Sequence, residues 1–176
     1  MTCGQRISVV GTSGSGKTTT ASLIAERLGI PHVELDALHW EPNWTEAPLD
    51  IFRERVTQAL SGETWTVDGN YGKVRDIVWS RADTIVWLDY ALPVILWQLI
   101  RRTLRRSLTQ EELWSGNRET LSKALFSRES ILLWALKTYR RRKKEYPALL
   151  GRPEHAHLAL VHLRSPRETR EWLSTL

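Results

Sequence analysis

Gly11-Thr12-Ser13-Gly14-Ser15-Gly16-Lys17-Thr18-Thr19 is the stretch that decides the reading of this chain. It has the form G-x-x-x-x-G-K-[ST], the pattern of a phosphate-binding loop. Its flanks agree with that pattern. Arg6 to Val10 is a short β-branched run, expected as a buried strand. Thr20 to Leu28 has helical spacing and stops at Gly29. The glycines let the backbone turn tightly, so that its N–H groups point at phosphate oxygens, and the following helix adds its positive N-terminal end. In this reading residues Gly11 to Thr19 bind the nucleotide. Lys17 reaches the β- and γ-phosphates, and the Thr18 hydroxyl is a ligand of Mg²⁺. ATP and Mg²⁺ are the cofactors that follow.

Working outward, strands and helices alternate. Strands are expected at His32–Leu35, Thr64–Val67, Thr84–Leu88 and His157–Leu163. Helices are expected at Leu49–Leu60, Val74–Trp79, Pro93 to about Ser107, Arg118 to about Tyr146, and Pro166–Leu176. Such alternation predicts an α/β fold: a five-stranded parallel sheet with helices on both faces, in three α/β/α layers. The 176 residues suit one domain, and 41% hydrophobic residues suffice for a core. Ligands of parallel sheets bind beyond the carboxyl ends of the strands. Asp36, Asp68 and Asp89 each follow a strand there, on the rim of the phosphate loop.

Composition narrows the function classes. Cys3 is the only cysteine, so no disulfide framework forms within the chain. No basic, apolar leader opens the sequence, and a cytoplasmic location is expected. The apolar run from Thr84 to Ile100 contains Asp89 and Pro93 and reads as a strand followed by a helix, not a membrane span. His32 and His39 lack the further ligands a zinc site needs and read as packing or substrate contacts. The formal net charge is +5, and the pI is about 9.7. Arg101, Arg102, Arg105 and Arg106 line one side of a helix and suit nucleotide phosphates. Arg140 to Lys144 is a solid basic block. A solvated helix face is the preferred reading of that block, and nucleic acid is the other.

The chain resembles the adenylate-kinase-like branch of P-loop nucleotide kinases. Within that branch it is similar to small bacterial topology modulation (FlaR-like) proteins. The resemblance rests on Gly11 to Thr19, Leu35-Asp-Ala-Leu-His-Trp40, Pro42-Asn-Trp44, Trp65-Thr-Val-Asp-Gly-Asn-Tyr71, Ala82 to Asp89 and the arginines after Pro93. It covers about the first 110 residues. It implies a kinase with an acceptor region at about 36–62 and a helical lid inserted at about 107–127. Asp36 would orient a hydroxyl acceptor and take its proton. His39, Trp40, Asp68, Asn70, Tyr71 and Arg75 would line the acceptor site. Asp68 and Asp89 would join Thr18 at Mg²⁺. Arg102, Arg105 and the lid residue Arg118 would stabilise the moving phosphoryl charge. Arg164 and Pro166 would cradle adenine. Asn70-Tyr71 departs from the adenylate-kinase pattern at that place, which argues against AMP as acceptor.

Two classes of function follow. One is an ATP-dependent kinase of a small acceptor such as a nucleoside, nucleotide or related metabolite, as monomer or homodimer. The other is an ATP-binding, nucleic-acid-associated regulatory protein without small-molecule kinase activity.

Overall fold

The computed structural model describes residues 4–109, 112–117 and 131–176, with backbone alone for 131–134. Five strands form one parallel sheet: β1 (Arg6–Gly11), β2 (His32–Glu34), β5 (Trp65–Asp68), β6 (Thr84–Leu88) and β7 (Ala159–Leu163), in the order β2-β5-β1-β6-β7. β1 is central, paired in register with β5 on one side and β6 on the other. The phosphate loop therefore leaves the middle of the sheet, between the carboxyl ends of β5 and β6.

Alternation along the strands sends side chains to two cores. On one face Val10, Val67, Ile85 and Trp87 pack against α3 (Leu49–Ala59), α4 (Arg75–Arg81) and α6 (Ile131–Leu150), through Phe52, Val56, Trp79 and Tyr146. On the other face Ile7, Val9, Val86 and Leu88 meet α1 (Lys17–Leu28), α5 (Leu92–Thr109) and α7 (Pro166–Leu173), through Ile24, Ile95 and Leu173. Trp65 and Phe52 are fully enclosed. Each such side chain contributes about 1.5–3 kcal/mol relative to an exposed one.

The structure departs from the sequence expectations at element ends. β2 stops at Glu34, and Leu35–His39 forms a one-turn helix, α2, so Asp36 sits in its first turn. After α2 a hairpin unseen in the sequence pairs β3 (Trp40–Glu41) with β4 (Thr45–Glu46). Its turn holds Asn43 and Trp44 at φ 61° and 57°. α5 continues past Ser107 to Thr109, whose hydroxyl donates to the Arg105 carbonyl. The lid expected from residue 107 thus begins inside a helix, and its residues 118–127, Arg118 included, lie outside the described residues. α6 runs through Pro147 to Leu150 rather than stopping at Tyr146. Among the described residues no helix is long and apolar enough to cross a membrane.

Candidate active site

Gly16 caps α1 with φ 88°, a left-handed conformation that suits glycine. It turns the start of α1 toward the loop, and Thr20 N–H donates to the Gly16 carbonyl at 2.9 Å. At Gly14, φ is 86° and a Cβ would lie 3.0 Å from both the Ile95 carbonyl and Leu99 Cβ. Helix α5 therefore abuts the loop. Ser15 Oγ is buried with no hydrogen-bond partner among the described residues. A buried orphan hydroxyl within a ring of glycines fits a ligand rich in acceptor oxygens, as a nucleotide's phosphates are.

Thr18 Oγ1 donates to Asp68 Oδ2 at 2.7 Å, and His32 Nε2 meets Asp68 Oδ1 at 2.9 Å. A hydroxyl and a carboxylate beside a phosphate loop suit Mg²⁺, which takes oxygen ligands and holds few protein groups. Asp89 lies elsewhere. Its carboxylate meets His162 Nε2 at 3.1 Å and Lys143 Nζ at 3.6 Å. These groups line a groove of about 520 Å³ beside Trp87, on the β6–β7 edge of the sheet. Asp68, not Asp89, is the carboxylate in contact with Thr18.

Lys17 Nζ donates to the Thr12 carbonyl at 3.4 Å. Its pKa is pulled down to about 8, first by burial and next by Arg142. Asp68 and Asp36 oppose that shift, and Arg102 adds to it. Lys17 thus stands among two carboxylates and two guanidiniums from four separate elements. Arg142 is buried, donates to the Gly11 carbonyl at 3.3 Å, and burial depresses its own pKa. It belongs to the basic block, but it faces the loop and not solvent. Arg140, Arg141 and Lys144 of that block are exposed.

In the region expected to hold the acceptor, Tyr71 donates its hydroxyl to Asp36 Oδ1 at 2.5 Å. Burial first, and then the Asp36 charge, raise the Tyr71 pKa, so the phenol remains a donor. His39 is buried against Trp40, Phe52 and Tyr71, and burial lowers its pKa. Glu34 accepts from Trp114 Nε1 at 3.2 Å, with its pKa raised by burial and then by Asp68. Asn117 bridges the hairpin: its Oδ1 accepts from Trp44 N–H at 2.9 Å and its Nδ2 donates to the Glu41 carbonyl at 3.0 Å. That pins Trp44 in its left-handed conformation and ties residues 112–117 to the hairpin.

The remaining predicted residues divide. Asn70 bonds Gly11 and Tyr146. Arg75 stacks over Trp79 at 5.4 Å and lines a small crevice with Asn70, Tyr71 and Tyr146. Arg105 is exposed on α5. Arg164 is exposed too, and its N–H donates to Glu168 Oε2 at 2.8 Å. Ser165 caps α7 by accepting from Glu168 N–H, with Pro166 in the first turn.

A family model described as "ATPase family associated with various cellular activities (AAA)" matches residues 7–89, just under half of the chain. That span runs from β1 through the phosphate loop to the end of β6. A shikimate kinase from Synechococcus elongatus is 28% identical over 137 residues, covering 66% of this chain and 72% of the relative. Two solved structures align over nearly the whole chain. A shikimate kinase from Acinetobacter baumannii in complex with shikimate has TM-score 0.57 and 15% identity, covering 98% of this chain and 90% of that one. A gluconokinase from Sinorhizobium meliloti 1021 has TM-score 0.52 and 20% identity, covering 97% and 92%. This chain has a P-loop kinase-like fold. Strand order, phosphate loop and five parallel strands belong to that kinase-like fold. At these identities the solved structures establish the fold, and the acceptor is a question for the site's own residues.

Proposed function

We propose that this P-loop kinase transfers the γ-phosphoryl group of ATP to a hydroxyl of a small metabolite, with Mg²⁺. The observation that carries the reading is the set of charges gathered around Lys17: the carboxylates of Asp36 and Asp68 and the guanidiniums of Arg142 and Arg102. Phosphoryl transfer is mostly positioning and charge stabilisation, and this set supplies both. Thr18 and Asp68 would hold Mg²⁺, which neutralises phosphate charge when bound. Lys17 and the loop amides hold the phosphates. Asp36, oriented by Tyr71, takes the acceptor's proton as its oxygen forms the new bond to phosphorus and the bond to the ADP oxygen breaks. Arg142 and Arg102 stabilise the moving charge. Arg105 and Arg118 are further candidates for that role in the lid region. Arg164 and Pro166 are candidates for the adenine side, His39 and Trp40 for the acceptor wall, and Arg75 for its floor.

An acid beside the acceptor favours a hydroxyl over a phosphate acceptor, because a phosphate has no proton that must be removed. The likeness to the relatives points to hydroxy acids such as shikimate or gluconate as acceptors, and the resemblance to adenylate-kinase-like and topology modulation proteins points to nucleosides. A cytoplasmic location goes with this reading. The nucleic-acid reading loses support because Arg142 is withdrawn from the exposed face of the basic block.

The test is ADP production with Mg-ATP across shikimate, gluconate, nucleosides, nucleoside monophosphates and a 5′-hydroxyl oligonucleotide, with Lys17→Ala and Asp36→Asn as controls. Turnover that depends on one acceptor class and is lost in both variants is the expected result. ATP binding without acceptor-dependent turnover across the panel contradicts it and moves the protein to the nucleotide-switched class.

A further inference from the structure

Gly11 ends β1 and begins the phosphate loop, with φ 155°. A Cβ there would lie 2.7 Å from both the Leu88 carbonyl and Ser15 Oγ, so only glycine fits. Two side chains from distant parts of the chain, Asn70 and Arg142, hold its peptide groups. Gly11 N–H donates to Asn70 Oδ1 at 3.3 Å, and Asn70 Nδ2 donates to the Gly11 carbonyl at 2.5 Å. That carbonyl also accepts from Arg142. Asn70 Oδ1 accepts a second bond, from the Tyr146 hydroxyl at 2.8 Å. Only one orientation of the amide satisfies a donor and an acceptor on the same glycine, so the Asn70 side chain acts as a strand edge for Gly11. Tyr146 and Arg142 are four residues apart on one face of α6, and both are buried.

We propose that Asn70 is a positioning residue of the phosphate loop rather than an acceptor ligand, and that Tyr146 and Arg142 make it a brace between α6 and the loop. Both polar ends of its amide are committed to Gly11 and Tyr146. The orientation of the Gly11 peptide sets where the next loop N–H groups point, and nucleotide binding depends on that direction. The brace also links the loop to the helix that follows the lid region, so the placement of α6 sets the readiness of the loop. This rests on the nucleotide-binding reading above.

The test is the Kd of Mg-ADP, measured with a fluorescent ADP analogue, for the wild type, Asn70→Ala, Asn70→Asp, Tyr146→Phe and the Asn70→Ala/Tyr146→Phe double variant. Thermal midpoints are recorded in parallel. Asn70→Asp keeps the size of the side chain but turns an oxygen toward the Gly11 carbonyl, so it stands in if Asn70→Ala does not fold. The proposal expects about tenfold weaker binding for either Asn70 variant and about threefold for Tyr146→Phe, as hydrogen bonds of ordinary strength are lost. The double variant should be no weaker than Asn70→Ala, because Tyr146 acts through Asn70. Binding within twofold of the wild type for both Asn70 variants overturns the proposal, even if their thermal midpoints fall. So does a double variant that multiplies the two single losses. Failure of the wild type itself to bind Mg-ADP defeats the nucleotide-binding reading instead, which is a separate result.

Discussion

Thr18 and Asp68, fifty residues apart, meet at 2.7 Å across the mouth of the phosphate loop. Both offer oxygen to a hard cation, and Asp89 is held away by His162 and Lys143. Asp68→Asn should therefore raise the Mg²⁺ concentration for half-maximal activity by about tenfold, the effect of losing one charged ligand interaction. Asp89→Asn should leave it unchanged. A Mg²⁺ titration of ADP production checks both. An Asp89 variant with the greater Mg²⁺ demand would return the metal to the β6 end.

Lys17 should make nucleotide binding pH-dependent on the alkaline side. Its native pKa lies at about 8, against 10.5 for an ordinary lysine. Phosphate beside the ammonium favours the charged form, so binding takes up a proton above pH 8 and none near pH 6.5. Calorimetry of Mg-ADP binding in two buffers of different ionisation enthalpy measures that proton directly. The sign for stability is also set. Between about pH 8 and 10.5 the unfolded chain binds the Lys17 proton and the native chain does not, so this group's contribution to stability rises with pH across that window. Lys17→Met should accordingly raise the thermal midpoint at pH 7, with the advantage fading by pH 10.5.

The Tyr71 phenol is raised far above its ordinary range, so it donates to Asp36 at every working pH. Tyr71→Phe should lower kcat by about tenfold, the loss of one hydrogen bond to a charged group. The deficit should be the same from pH 6 to 9, since no titration of Tyr71 falls there. Rate profiles of the two proteins across that range decide it. Curves that converge at high pH would mean that Tyr71 ionises in the working enzyme.

Phe52, on α3, is fully enclosed and in ring contact with His39 at 4.8 Å and Tyr71 at 5.1 Å, two residues of the proposed acceptor site. Phe52→Ala should destabilise the protein by about 3–5 kcal/mol in chemical unfolding. It should also raise the acceptor KM while leaving Mg-ADP affinity near that of the wild type, because the cavity opens under Tyr71 and not under the phosphate loop.

The phosphate loop and the five parallel strands were legible because each rests on a local pattern: Gly and Lys at fixed spacing, and short β-branched runs between helices. The hairpin at Trp40–Glu46 was not. Its strands are two residues each and its turn is built on left-handed Asn43 and Trp44, held by Asn117 more than seventy positions away. Arg142 was hidden for a different reason. A run of five cations reads as a solvated face, yet Ala135, Thr138, Arg142, Tyr146 and Leu149 fall at helical spacing and form the buried stripe of α6. That stripe was the available signal, and it places one arginine of the block inside. Asp89 is the converse case. A carboxylate at a strand end looks the same in sequence whether it faces the loop, as Asp68 does, or a neighbouring strand's histidine.

The most direct measurement is single-turnover transfer of labelled phosphate from γ-labelled ATP to the acceptor the panel identifies, in wild type and Asp36→Asn. The account predicts label on an acceptor hydroxyl in the wild type. It also predicts a rate at least about a hundredfold lower in Asp36→Asn, the scale of a lost general base, with Mg-ADP affinity retained. Label released only to water in the wild type, or transfer by Asp36→Asn at the wild-type rate, would contradict it.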